Sequence, residues 1–157
     1  MLEPLVSRIE VACDQQTAFT IFVEQMGAWW PLHKRSMSMH QGQSAKALRA
    51  DPRPGGQIIE TGHDDTEHLW GSFKRIVPHE FVSMDFHMGL PPEQASSVEV
   101  RFLPLSDKRT QVELTQNNWE AFGDLAEMMR RGYGSGWVLI FEDAFRNACD
   151  AAAATSK

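Results

Sequence analysis

Polar and apolar residues alternate at the start of the chain. Leu5, Ser7, Ile9 and Val11 fall on one side and Val6, Arg8 and Glu10 on the other, which predicts an opening strand. Asp14 breaks that pattern and can accept from the free amides of a helix start. Phe19, Phe22, Val23 and Met26 follow at i, i+3, i+4 and i+7, one stripe of an amphipathic helix that Gly27 is expected to close. Pro31 then disfavours helical geometry at Trp30 and turns the chain. From residue 45 the pattern is strand and turn: strands over 45–50, 57–61, 69–77, 81–88, 96–103 and 110–115, with a polar hairpin tip at 63–66 and a tight turn at 78–80. Val82, Met84, Phe86 and Met88 share one face of their strand, and Ser83, Asp85 and His87 take the other. Residues 119–131 carry weak helical periodicity. Gly132, Gly134 and Gly136 are expected to interrupt it, and a final helix is expected from about 137 to 151, with Trp137, Ile140, Phe141, Phe145 and Ala148 on its apolar face.

The order is strand, helical hairpin, six strands, long helix, an α+β arrangement in one domain over residues 1–152, with 153–157 as a flexible tail. The antiparallel sheet must bury its apolar face, and the terminal helix is the one element large enough to cover it. A strongly curved sheet does not meet a single helix everywhere, so the expected gap is a cavity.

Composition narrows the function. With 15 Lys and Arg against 21 Asp and Glu, the formal charge is −6, which argues against a nucleic-acid groove or an anionic membrane surface. No apolar run is long enough to span a bilayer, and Cys13 and Cys149 have neither disulfide-framework nor metal-ligand spacing, so a reduced cytoplasmic protein is the expectation. The 5 Trp, 9 Phe and 8 Met can fill a core or line an apolar cavity.

Phe22 followed by Trp29-Trp30-Pro31, the turn Arg53-Pro54-Gly55-Gly56, the block 71–78 (Gly-Ser-Phe-Lys-Arg-Ile-Val-Pro) before Phe81-Val82, and Gly136-Trp137 occur in an order that resembles the START-like (SRPBCC) superfamily. Within it, the chain resembles the branch of the heat-shock chaperone ATPase activator homologues. The resemblance implies a helix-grip fold, in which a curved seven-stranded antiparallel sheet wraps a long C-terminal helix around an apolar cavity whose mouth lies near the helical hairpin. It also implies a choice of roles, since members bind lipids, polyketides or other hydrophobes and some assist polyketide cyclisation. Eukaryotic chaperone activators carry a second domain that helps bind the chaperone, and these 157 residues lack one, which argues against chaperone activation.

The main expectation is therefore a binding module for a small hydrophobic molecule, without a cofactor. The resemblance implies that Trp29 and Trp30 stand at the entrance, and since two adjacent indoles on a short helix should not both enter one core, one of them is expected to face the pocket or a partner; the alternative is that one of them caps the core. Trp70, Met84, Phe86, Val100, Trp119, Met128, Trp137 and Phe141 would form the wall. Met129, with Trp119 and Met128, could move over the cavity on the Gly132–Gly136 hinge. An enzyme of cyclase type would need an inward acid or base, for which His68, Asp85 and His87 are the candidates. Strand register decides among them: Ser72 opposite Asp85 and Trp70 opposite His87, or a shift by one. The run from His63 to His68 lies on a hairpin tip without helical metal-ligand spacing and is expected to be a solvated turn rather than a metal site. A chaperone-interacting domain is the third reading, and a sheet edge or outer face could support a homodimer.

Overall fold

The computed structural model describes residues 2–155. Its strands are β1 (Leu5–Val11), β2 (Ala47–Ala50), β3 (Gln57–Thr61), β4 (Glu67–Val77), β5 (Phe81–Phe86), β6 (Ser96–Ser106) and β7 (Arg109–Asn117). All pair antiparallel in one sheet of order β1-β7-β6-β5-β4-β3-β2, so consecutive strands are neighbours except where β1 closes on β7. Helix α1 (Gln15–Glu24) opens with the Asp14 side chain accepting from Thr17 N at 2.9 Å, as its sequence predicts.

Gly27 does not close that helix. The first helix ends at Glu24, and Gly27 lies inside the short helix α2 (Met26–Trp29). Its role is contact: a Cβ there would stand 2.0 Å from Leu48 O, so only glycine lets α2 lie against the edge strand β2. Trp30, before Pro31, is extended at φ −62°, ψ 129° and ends α2.

The C-terminal third differs most from the sequence pattern. A 3₁₀ segment, Trp119–Leu125, leads into α3 (Ala126–Trp137), a π-helical stretch (Val138–Phe145) and α4 (Arg146–Thr155). Gly132, Gly134 and Gly136 are all helical within α3, so they neither interrupt the helix nor form a hinge loop. Each glycine weakens a helix by about 1 kcal/mol relative to alanine. Here packing against the sheet side outweighs that cost: an added Cβ at Gly134 would lie 3.8 Å from Leu5, and Gly136 is buried. The helix runs to Thr155, past the tail boundary at 153; Ser156 and Lys157 lie outside the described residues.

The sheet curves through its bulges. Pairing shifts between Ile58 and Ile59 against β4, between Phe73 and Arg75 against β5, and between Pro104 and Ser106 against β7. Each extra residue bends its strand and adds twist. The core runs along the concave side. Phe22 lies between Phe102, Phe141 and Phe145, with ring centroids 6.0, 6.5 and 5.3 Å away, and Trp29 lies 5.2 Å from Phe145. This architecture is the helix-grip fold that the sequence predicts.

Candidate ligand-binding pocket

The aromatic core opens at one end. Between the segment 34–40, the end of β5 and the face of α3 lies a pocket of about 610 Å³. Trp30, Phe86, Tyr133 and Trp137 supply its aromatic wall, Met37, Met39, Met88, Met128 and Met129 its flexible one, and Lys34, Arg35 and His40 lie at solvent-exposed positions of it. The rings form a connected set: Trp30 to Trp137 at 5.9 Å, Phe86 to Trp137 at 6.0 Å, and Tyr133 stacked on Trp137 at 6.2 Å with 20° between planes.

Several buried hydrogen bonds fix this wall. Glu60 on β3 is fully buried, and its carboxyl group accepts from Met37 N at 2.7 Å, Ser38 N at 3.0 Å and Trp70 Nε1 at 2.9 Å. One side chain therefore ties the segment 36–38 and the Trp70 indole to the sheet. The extra residue in β4 at the first bulge is Trp70, which turns it inward, 4.9 Å from Trp30. On the other flank Trp137 Nε1 donates to Gln116 Oε1 at 2.8 Å, Gln116 Nε2 donates to Ser96 Oγ at 2.8 Å, and Ser96 Oγ donates to Phe86 O at 2.9 Å. Trp30 Nε1 donates to Arg35 O at 2.9 Å. Every indole of the pocket wall thus has a partner, as buried N–H groups require.

The expected site residues divide into three groups. Trp30, Phe86, Met128 and Trp137 line the pocket. Trp70, Met84, Val100 and Phe141 are fully or almost fully buried in the packed core behind it. Trp119 is buried 6.0 Å from Tyr133, supporting that ring from outside the lining. Trp29 lies in the core, its Nε1 donating to Ile21 O at 2.8 Å, and Trp30, also buried, is the indole of the pair that lines the pocket. The chain turns at the extended Trp30, and the two rings remain neighbours, 5.8 Å apart, with Trp29 against Phe22 and Phe145 and Trp30 against Trp70 and Trp137.

The acid and base candidates separate as well. Register follows the first alternative, with Ser72 opposite Asp85. Asp85 points outward and lies 3.5 Å from Lys74, so it is no inward acid. His68 pairs with Glu60, is half-buried and lies outside the pocket wall. His87 reverses its expected outward placement. The backbone amides of His87 and Met88 both donate to Trp70 O, at 2.7 and 2.9 Å, the mark of a one-residue bulge, and Met88 has φ 45°. Alternation fails at that bulge, and the His87 side chain becomes 3% exposed in the pocket wall. Burial holds its imidazole below its ordinary pKa, opposed by the Leu90 backbone and the charges of Asp85 and Glu93. Its Nδ1 has no hydrogen-bond partner, and neither does the buried hydroxyl of Tyr133, whose pKa burial pushes upward.

Sequence reasoning passed over Tyr133, Met37, Gly132 and Glu60. Tyr133 sits between glycines that read as a loop. Glu60 had a visible signal, since it shares a strand face with Ile58 and a carboxyl at an inward position must be paired. Among the described residues no His, Cys, Asp and Glu cluster could hold a metal ion, and no helix is long and apolar enough to cross a membrane.

Known folds and a family model agree with this architecture. The anthrahydroquino-gamma-pyrone synthase Txn09, solved complexed with SUM, is similar over 93% of this chain and 96% of its own, with a TM-score of 0.65 and 25% identity. The self-sacrificing resistance protein CalC from Micromonospora echinospora is similar over 95% of both chains, with a TM-score of 0.71 and 21% identity. The Aha1 dimer from Colwellia psychrerythraea is similar over 95% and 97%, with a TM-score of 0.57 and 14% identity. No curated protein matches the sequence. The family model described as Activator of Hsp90 ATPase homolog 1-like protein matches residues 17–143, a span that takes in α1, the sheet from β2 to β7 and the helix as far as the π-helical stretch, and the chain belongs to that family.

Proposed function

We propose that this domain binds a small, largely apolar molecule in the pocket between residues 34–40, the end of β5 and α3. The observation that carries the reading is the pocket itself: about 610 Å³, walled by four aromatic rings and five methionines. That volume falls within the range of about 300–1,000 Å³ usual for small-molecule sites. Methionines let such a wall adapt to the shape of its occupant. The similarity to a synthase that shares the fold and was solved complexed with SUM supports a small-molecule role over a purely structural one.

Pyrene, a rigid apolar ring system, tests this directly. Saturable one-to-one quenching of tryptophan emission is the expected result, because Trp30 and Trp137 line the pocket. An added Cβ at Gly132 meets nothing within 4 Å, so Gly132→Phe should fill the pocket, leave the circular dichroism unchanged and abolish the quenching. Quenching that persists unchanged in this variant, or no quenching of the wild type, overturns the proposal. Native mass spectrometry of protein from its own host would then identify the natural occupant.

A cyclase-type activity is the second reading, and it rests on His87 alone. A neutral imidazole in an apolar wall can take a proton from a bound substrate, and His87 is the one acid or base candidate placed there. Turnover of a polyketide-like substrate that is lost in His87→Phe while binding persists would support it.

A further inference from the structure

The pocket wall holds two polar groups that the protein does not satisfy. Trp30 and Trp137 spend their indole N–H groups on protein partners, but His87 Nδ1 and the Tyr133 hydroxyl have none. Both residues line the same pocket. A buried hydroxyl or ring nitrogen without a partner costs about 1–3 kcal/mol, and of the four such groups among the described residues, which include Trp119 Nε1 and Arg146 Nε, these two are the ones on residues that line the pocket.

Neither residue is forced into this position by packing alone. His87 is turned inward by a bulge with a positive φ at Met88, where plain alternation would have placed it on the wet face of the sheet. Tyr133 is the single tyrosine of the chain, on a helix face where its neighbours in the wall are methionine, glycine and tryptophan. A phenylalanine would fill the same volume and leave no orphan hydroxyl.

We infer that His87 Nδ1 and the Tyr133 hydroxyl form the polar end of the pocket and select a ligand that is mostly apolar but carries one uncharged hydroxyl or carbonyl group. A neutral imidazole nitrogen can donate or accept according to tautomer, and a phenol can do both, so the pair can satisfy a hydroxyl fully or a carbonyl by donation. Neither group carries a charge that could compensate an ionised ligand group, and the cations of the pocket, Lys34 and Arg35, stand at its exposed positions, so the pair suits an uncharged group. The inference rests on the pocket being a binding site and adds which chemistry it reads.

The test compares 1-hydroxypyrene with pyrene, which differ by one hydroxyl, at a pH of about 7 where the probe is neutral. For the wild type the hydroxylated probe should bind about tenfold more tightly, the effect of about 1.4 kcal/mol for one buried hydrogen bond. In Tyr133→Phe the preference, read as the ratio of the two affinities within each variant, should fall severalfold, and in Tyr133→Phe combined with His87→Phe it should vanish. Tyr133→Phe removes only an unpartnered hydroxyl, so its Tm should equal or exceed that of the wild type; a marked fall would mean that the hydroxyl has a structural role, and would overturn the inference. Equal preference in wild type and variants, with pyrene bound by all, also overturns it while leaving the pocket reading intact. Failure of the wild type to bind either probe overturns both.

Discussion

The two ends of the C-terminal helix meet the same sheet under opposite conditions. At the α4 end the interior is closed: Phe141 and Phe145 stack at 5.6 Å, Phe22 fits against both, and Cys149 is fully buried beyond them. At the α3 end the interior opens into the pocket, Met128 is 58% exposed and Leu125 47% exposed, and the wall behind them carries unpartnered polar atoms. One helix thus serves as core at one end and as pocket wall at the other. Hydrophobic burial alone would close both ends, so the difference has to be held by specific bonds, those of Glu60 and Gln116 above all.

Mutations should expose that asymmetry. Phe145→Ala, at the closed end, is expected to cost about 3–5 kcal/mol in chemical denaturation, the usual range for truncating a buried aromatic ring. Glu60→Ala should cost about 2–4 kcal/mol, because it strands two amides and an indole N–H in the interior, and it should weaken pyrene binding as well as stability. A variant that lost stability but kept full binding would show that the segment 36–38 needs no anchor. Gly132→Ala, at the open end, is expected to raise stability by up to about 1 kcal/mol, since the added methyl meets open space and alanine favours the helix.

Acidification should act through His87. The folded protein holds this imidazole below its ordinary value of 6.5, so the unfolded chain takes up the proton first as pH falls. The contribution of His87 to stability is complete above about pH 6.5 and is lost as pH drops from there toward the depressed folded value. His87→Phe should therefore lose less stability than the wild type between about pH 7.5 and pH 5.5, measured by denaturant midpoints. The smallest effect is expected from Met128→Ala, within about 0.5 kcal/mol, as for most exposed positions. A cost near that of Phe145→Ala would mean that the α3 end is as closed as the other.

Strand order and helix-grip architecture were legible in the sequence because alternation, turn residues and the long apolar helix face all point to one arrangement. The pocket wall was only half legible. Trp30, Phe86, Met128 and Trp137 are large apolar residues in the places that the fold exposes to a cavity. His87 escaped because a bulge carries no local sequence mark, and the pattern of Val82, Met84 and Phe86 assigns it to the other face. Tyr133 escaped because helix propensity counts Gly132, Gly134 and Gly136 as a break, whereas tertiary packing keeps them helical. Trp70 shows the same limit from the other side: its burial comes from the extra residue in β4, not from its place in the alternation.

The π-helical stretch Val138–Phe145 lies where the closed end passes into the open one. In coding terms it is a point at which the gene can gain or lose one codon with little consequence for either end. A π-helical turn holds one more residue than an α-helical one, so the stretch absorbs that residue while Phe145 and α4 stay in the core and Met128, Met129 and Tyr133 stay at the pocket. The same change in a plain α-helical segment would rotate one end by about 100° against the other. Relatives one residue shorter could therefore keep this fold and this pocket face with an unbroken α-helix.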